Sequence, residues 1–221
     1  MELDELKTAW QQMDQELQKQ QRITAALIEE RTGLLVQSSL KPLFRWQVFQ
    51  ILVGIAFIIK GAGFWVENIG ETLLFASGVI VHIYGVALIA NAAWIITRIK
   101  TIDYGASVTE LQKRVAKLEK SYVISGWIIG LPWWFLWIPV AIVLLASIGV
   151  DTMKAPPENW LPINLLIGFV GTAVTLGWYA LARRSKKPGV RERLERSDRG
   201  ASIERARQAI ADVERFEREA G

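Results

Sequence analysis

Apolar positions follow two patterns along this chain. Residues 46–66, 72–97, 122–150 and 160–182 form long hydrophobic runs, each reaching the roughly 20 residues that a helix needs to cross a bilayer. Elsewhere apolar residues recur three and four apart in polar sequence, the period of an amphipathic helix. The first such segment carries Leu3, Leu6, Trp10, Met13 and Leu17. It predicts a helix over about residues 3–31, with Gly33 as its stop. The second carries Val108, Leu111, Val115, Leu118 and Tyr122, behind Ser107-Val108-Thr109-Glu110, a capping box whose hydroxyl and carboxylate satisfy the first backbone donors. The third carries Ile203, Ala206, Ile210 and Val213, continuing toward Phe216.

The predicted fold is therefore all-α: a polytopic membrane protein with four transmembrane helices and amphipathic cytoplasmic helices. Residues 1–45 supply an N-terminal amphipathic helix and linker. A first transmembrane hairpin spans 46–97, an amphipathic connection 98–121, a second hairpin 122–182, and a basic linker with a C-terminal amphipathic helix 183–221. Each amphipathic segment is two to three heptads long, marginal alone in water, so mutual burial is the simplest way to stabilise all three. That burial is completed within one chain, by self-association or by a partner.

Inside the spans, small residues and prolines carry the detail. Lipid is as apolar as leucine, so helices associate through close packing and polar contacts. Gln50, Gly54 and Gly61 share a face of the first span, Gly78, His82 and Gly85 of the second, and Asn164, Gly168, Gly171 and Thr175 of the fourth. These stripes are predicted to face one another. Pro132 and Pro139 predict a tilted or bent third span. Beside them Trp133, Trp134 and Trp137 either line an apolar cavity or supply bulky packing and lipid contact.

Composition agrees with a membrane bundle. A hydrophobic content of 51% over 221 residues and a mean hydropathy of +0.23 leave little room for a separate soluble domain. The polar, acidic N-terminal sequence does not read as a cleavable signal. Charge then sets orientation, because lysine and arginine are retained on the cytoplasmic side. Residues 1–45 carry six basic residues, 98–120 carry six and 183–221 carry twelve, 24 of the total 26. Both ends and the middle connection are thus predicted to be cytoplasmic. Trp46, Trp65, Trp94, Trp160 and Trp178 near the span ends suit the headgroup depth that indoles prefer.

Candidate chemistry is sparse. There is no cysteine and one histidine, which removes disulfides, thiolate sites and multi-histidine metal sites. No GxSxG, phosphate loop, HExxH or dinucleotide fingerprint occurs, and Ser38-Ser39-Leu40-Lys41 matches S-x-x-K without the rest of that machinery. No catalytic, cofactor-binding or metal-binding set is predicted, and the chain reads as non-enzymatic. Ionisable groups at membrane depth are functional candidates by default. Lys60 either snorkels toward Glu67 or Glu71 or lies on a solute path, and His82 either hydrogen-bonds a neighbouring helix or relays protons. Asn91 and Asn164 read as interhelical hydrogen-bonding residues. The twelve basic residues after Ala182 alternate with eight acidic ones, which suits salt-bridged helix surfaces and speaks against nucleic acid.

Leu3-Asp4-Glu5-Leu6-Lys7 with Trp10, and Ile102-Asp103-Tyr104 before Val108-Thr109-Glu110-Leu111-Gln112, resemble a family of uncharacterised four-span bacterial inner-membrane proteins. Some of these are encoded beside extracytoplasmic-type sigma factors. The resemblance implies an inner-membrane location and a connection with regulation, and it carries over no catalytic or binding residue. The expected function is a scaffold or signalling accessory whose cytoplasmic helices self-associate or bind a soluble regulator. Leu3, Leu6, Trp10, Met13, Leu17, Val108, Leu111, Val115, Leu118, Ile203, Ile210 and Val213 are its predicted contact residues. The alternative is a small transporter, channel or transport accessory with a pathway near Lys60 and His82.

Overall fold

The computed structural model describes residues 2–150, 159–184 and 200–220. All regular elements among them are helices: α1 (Glu2–Glu67), α2 (Thr72–Lys100), α3 (Val108–Gly130), α4 (Trp133–Ser147), α5 (Trp160–Arg184) and α6 (Ala201–Ala220). At a rise of 1.5 Å per residue, the 66 residues of α1 extend about 100 Å, some three times the apolar thickness of a bilayer. By length and composition α1, α2 and α5 can cross a membrane, and α3 with α4 makes a further candidate if that bent pair is one span.

The predicted stop at Gly33 is not used. α1 runs through Gly33 and also through Pro42, although glycine costs about 1 kcal/mol in a helix and proline removes one backbone bond. Burial on both sides holds the helix through them, since Thr32, Val36, Leu40 and Leu43 are buried along one face. Gly33 has a different task. A Cβ there would collide with the backbone carbonyl of Tyr104, so the missing side chain lets the turn between α2 and α3 close onto α1.

α1 and α2 pack as an antiparallel hairpin through small residues, as the stripes of the first two spans predict. A Cβ on Gly54 would come within 2.9 Å of the Gly85 carbonyl oxygen, and one on Gly61 within 2.7 Å of the His82 nitrogen. Backbones this close gain dispersion contacts that larger side chains would prevent. Gln50 Nε2 adds an interhelical bond to the Leu88 carbonyl at 3.2 Å. The fourth-span stripe behaves differently from expectation: Gly168 abuts Phe135 and Gly171 abuts Trp134, so it faces α4 and not the first hairpin.

α3 and α4 meet at a 52° bend around Leu131 and Pro132, where the proline ring interrupts the backbone ladder. Tyr84 Oη donates to the Ile129 carbonyl beside this break at 2.9 Å. On α5, Leu166, Phe169, Val174, Trp178 and Leu181 are each more than 60% exposed, an apolar surface that water would not support and that a bilayer would.

Candidate functional site

Two places combine sequence-predicted residues with unmet contact capacity. One is the helical assembly at one end of the bundle. Val108, Leu111, Val115 and Leu118 of α3 and Ile203, Ala206 and Ile210 of α6 form one buried cluster with Val36, Leu40 and Leu43 of α1, Ile95 and Ile99 of α2, and Ile102 in the turn that follows. Val213 packs on its margin. Two of the three predicted amphipathic segments are thus satisfied within one chain.

The third is not. Trp10 is 66% exposed, Met13 55% and Leu17 51%, on a part of α1 that extends past the cluster; the side chains of Leu3 and Leu6 lie outside the described residues. The stripe continues as Leu27 and Leu34, both exposed. It therefore follows a seven-residue spacing from Leu3 through Leu34, broken by Gln20, Thr24 and Arg31. On a helix of 3.6 residues per turn, Leu34 and Val36 point about 160° apart. One face of α1 is consumed by its own chain over residues 32–47, while an unpartnered heptad seam, nearly opposite that face at Leu34, drifts about 20° per heptad around the helix toward Leu3.

Polar detail around the cluster corrects the predicted capping box. Ser107 stands at the N-cap of α3, yet its side chain makes no capping bond. Its carbonyl accepts from Leu111 N at 2.9 Å, as the helix ladder requires. Glu110 turns instead to Arg114 at 3.0 Å, and Arg114 Nη1 donates to the Thr101 carbonyl at the end of α2. Arg207 of α6 pairs with Glu119 of α3 at 2.8 Å. In the turn, Asp103 Oδ1 accepts from Gly105 N at 3.1 Å, a side-chain turn that fixes the loop. Burial pushes the Tyr104 phenol above its ordinary value, because the phenolate would lose hydration.

The second place is a cleft of about 540 Å³ where α1, α2, α3, α4 and α5 converge, beside the buried cluster. Gln47 and Gln50 of α1, Asn91 of α2, Ser125 of α3 and Thr175 of α5 give it polar points, among the rings of Trp46, Tyr122, Trp127, Trp134, Trp178 and Tyr179. Trp127 and Tyr179 meet edge to face with centroids 4.6 Å apart, and Trp134 Nε1 donates to Thr175 Oγ1 at 3.1 Å. These contacts tie α5 to α3 and α4 around the opening. Of the predicted tryptophan cluster, Trp134 lines the cleft, Trp137 packs in a separate core, and Trp133 lies against Tyr84 with centroids 6.4 Å apart.

The intramembrane candidates scatter. His82 Nδ1 lies 3.2 Å from the Ile58 carbonyl across the α1–α2 contact, the geometry of the first of its two predicted readings. Lys60 is exposed, and Asn91 borders the cleft. Asn164 Nδ2 donates to the Trp160 carbonyl of its own helix at 2.7 Å, so this bond is not the interhelical one predicted. Sequence reasoning missed Thr32 and Gln47, which are 0% and 2% exposed. The recurrence of Thr32, Val36, Leu40, Leu43 and Gln47 at three- and four-residue steps was the available signal.

No family model, curated protein or solved structure matches the chain. The residues themselves carry the functional argument.

Proposed function

We propose that the protein is a non-enzymatic scaffold or signalling accessory of a bacterial inner membrane, displaying a cytoplasmic recognition helix. In this reading the chain crosses four times, with both termini and the 98–121 connection in the cytoplasm. The distribution of lysine and arginine supports that orientation. The observation that carries the function is that Trp10, Met13 and Leu17 stay exposed on a stretch of α1 exposed throughout residues 7–24, while the other amphipathic segments bury one another. A seam of this kind loses its apolar surface from water by pairing with another helix. The occupant is a second copy of the chain or a soluble regulator, the latter in keeping with the resemblance to proteins encoded beside sigma factors.

The test is in-cell crosslinking followed by affinity purification and mass spectrometry, comparing wild type with a Leu6→Gln, Trp10→Gln, Leu17→Gln triple variant. Capture of a soluble regulator that the variant loses identifies a signalling adaptor, and self-crosslinks alone identify an assembly scaffold. Identical crosslinks from both proteins overturn the reading. A transport pathway near Lys60 and His82 has less support, because His82 engages the Ile58 carbonyl while Lys60 is exposed.

A further inference from the structure

We infer that the cleft beside Gln47 is a binding site for a neutral amphiphile whose polar end donates hydrogen bonds, with a diacylglycerol-type lipid as the fitting class. Volume is the first argument. At about 540 Å³ the cleft lies in the range of small-ligand sites, about 300–1,000 Å³. That is room for a glycerol head and the upper part of a chain.

The lining selects the chemistry. Its walls are mostly aromatic and aliphatic, and no Asp, Glu, Lys or Arg borders it among the described residues. A phosphate head would enter without a counter-charge and would lose its hydration. A hydroxyl would not suffer that loss. Gln47 supplies the independent sign of a missing partner: it is 2% exposed, it lines the cleft, and its amide oxygen has no hydrogen-bond partner in the protein. Buried acceptors are nearly always paired, so an unpaired one on a residue of the cleft wall asks for a donor, and in this proposal the Gln47 amide turns toward the cleft to accept from a primary hydroxyl. Asn91 and Ser125 stand in the same wall and extend the set of polar groups available to a glycerol backbone. The tryptophans at this end of the spans mark headgroup depth, where a lipid's polar end resides.

Two glycines make the proposal testable. Gly126 and Gly130 border the cleft, and a Cβ on either meets no atom within 4 Å. A side chain can therefore start from either position without strain at its Cβ, and a larger residue narrows the cleft and favours the helix over glycine. Full-length protein in phosphatidylcholine nanodiscs is titrated with 1,2-dioleoylglycerol, and native mass spectrometry reads the bound lipid. The expected result is one saturable adduct per chain, at least tenfold weaker in Gly126→Phe. The 3-acetyl ester of dioleoylglycerol and dioleoylphosphatidylglycerol should also bind at least tenfold less well, and Gln47→Leu should erase the preference for the free hydroxyl. Circular dichroism confirms folding of each variant, and Gly130→Leu replaces Gly126→Phe if the latter unfolds. Non-saturable uptake, or equal uptake by wild type and a folded narrowed-cleft variant, overturns the site. Equal binding of the ester and the anionic lipid overturns the assigned headgroup chemistry.

Discussion

Gly33 in the middle of α1 seats the backbone carbonyl of Tyr104, in the turn 71 residues further along the chain, where any Cβ would collide with it. This contact joins the longest helix to the connection between the two halves of the bundle. Adding a methyl group has opposite effects on the two terms involved. Alanine gains about 1 kcal/mol of helix propensity, whereas overpacking against rigid backbone costs about 1–3 kcal/mol. Gly33→Ala should therefore lower the thermal midpoint of the purified protein. Gly63→Ala, in the same helix with nothing within 4 Å of the new methyl, should leave it equal or raise it. If the two variants behave alike, the turn does not rest on α1.

Docking of α6 should depend on its apolar face and little on its charges. Ile203 and Ile210 are 0% and 2% exposed within the shared cluster, and truncating a buried isoleucine to alanine costs about 2–5 kcal/mol. The Arg207–Glu119 pair has side chains 46% and 18% exposed, and pairs of that kind contribute about 0–1 kcal/mol. Limited proteolysis should accordingly cut within or beside α6 much faster in Ile203→Ala and scarcely faster in Arg207→Ala. The reverse order would assign the docking to electrostatics.

The raised Tyr104 phenol gives a pH dependence with a definite sign. Its folded value lies above the ordinary 10.0, so the neutral phenol is the form the fold favours. The associated stability is fully present below pH 10 and is lost as pH rises through the folded value. Tyr104→Phe has no such group. Unfolding midpoints measured from pH 8 to pH 11 should therefore fall more steeply for wild type than for Tyr104→Phe, with parallel curves below pH 9. Parallel curves throughout would show that the phenol is not desolvated.

The sequence made the bundle legible where a single physical rule governs. Gly54, Gly61, Gly78 and Gly85 spell out a hairpin because close backbone approach needs small residues, and Pro132 marks the bend because it lacks a donor. Gly33 misled because the same residue serves a helix stop or a close contact, and only the distant carbonyl of Tyr104 decides between them. Glu110 fits a capping box by spacing, yet Arg114 one turn on competes for its carboxylate and wins. Gln47 was hidden for another reason: its stripe begins where the first stripe ends, on nearly the opposite face of α1, and two stripes in succession look like a pattern that fades. Its unpaired amide oxygen is a property of packing that no spacing reveals.

If the exposed seam of α1 pairs with a second copy, geometry dictates how. Two chains in the same membrane send their first helices out on the same side, because α1 continues unbroken from its apolar half through residue 2. The helices can then pair only in parallel, with register fixed by their common depth. The chain contains no cysteine, so single cysteines report the pairing without background. Leu17→Cys, on the seam, should form a disulfide-linked dimer under mild oxidation in membranes. Gln15→Cys, about 160° around the helix, should not, although it is also exposed. Crosslinking at both positions would indicate random collision. Crosslinking at neither would leave the seam to a soluble partner and remove the second copy as its occupant.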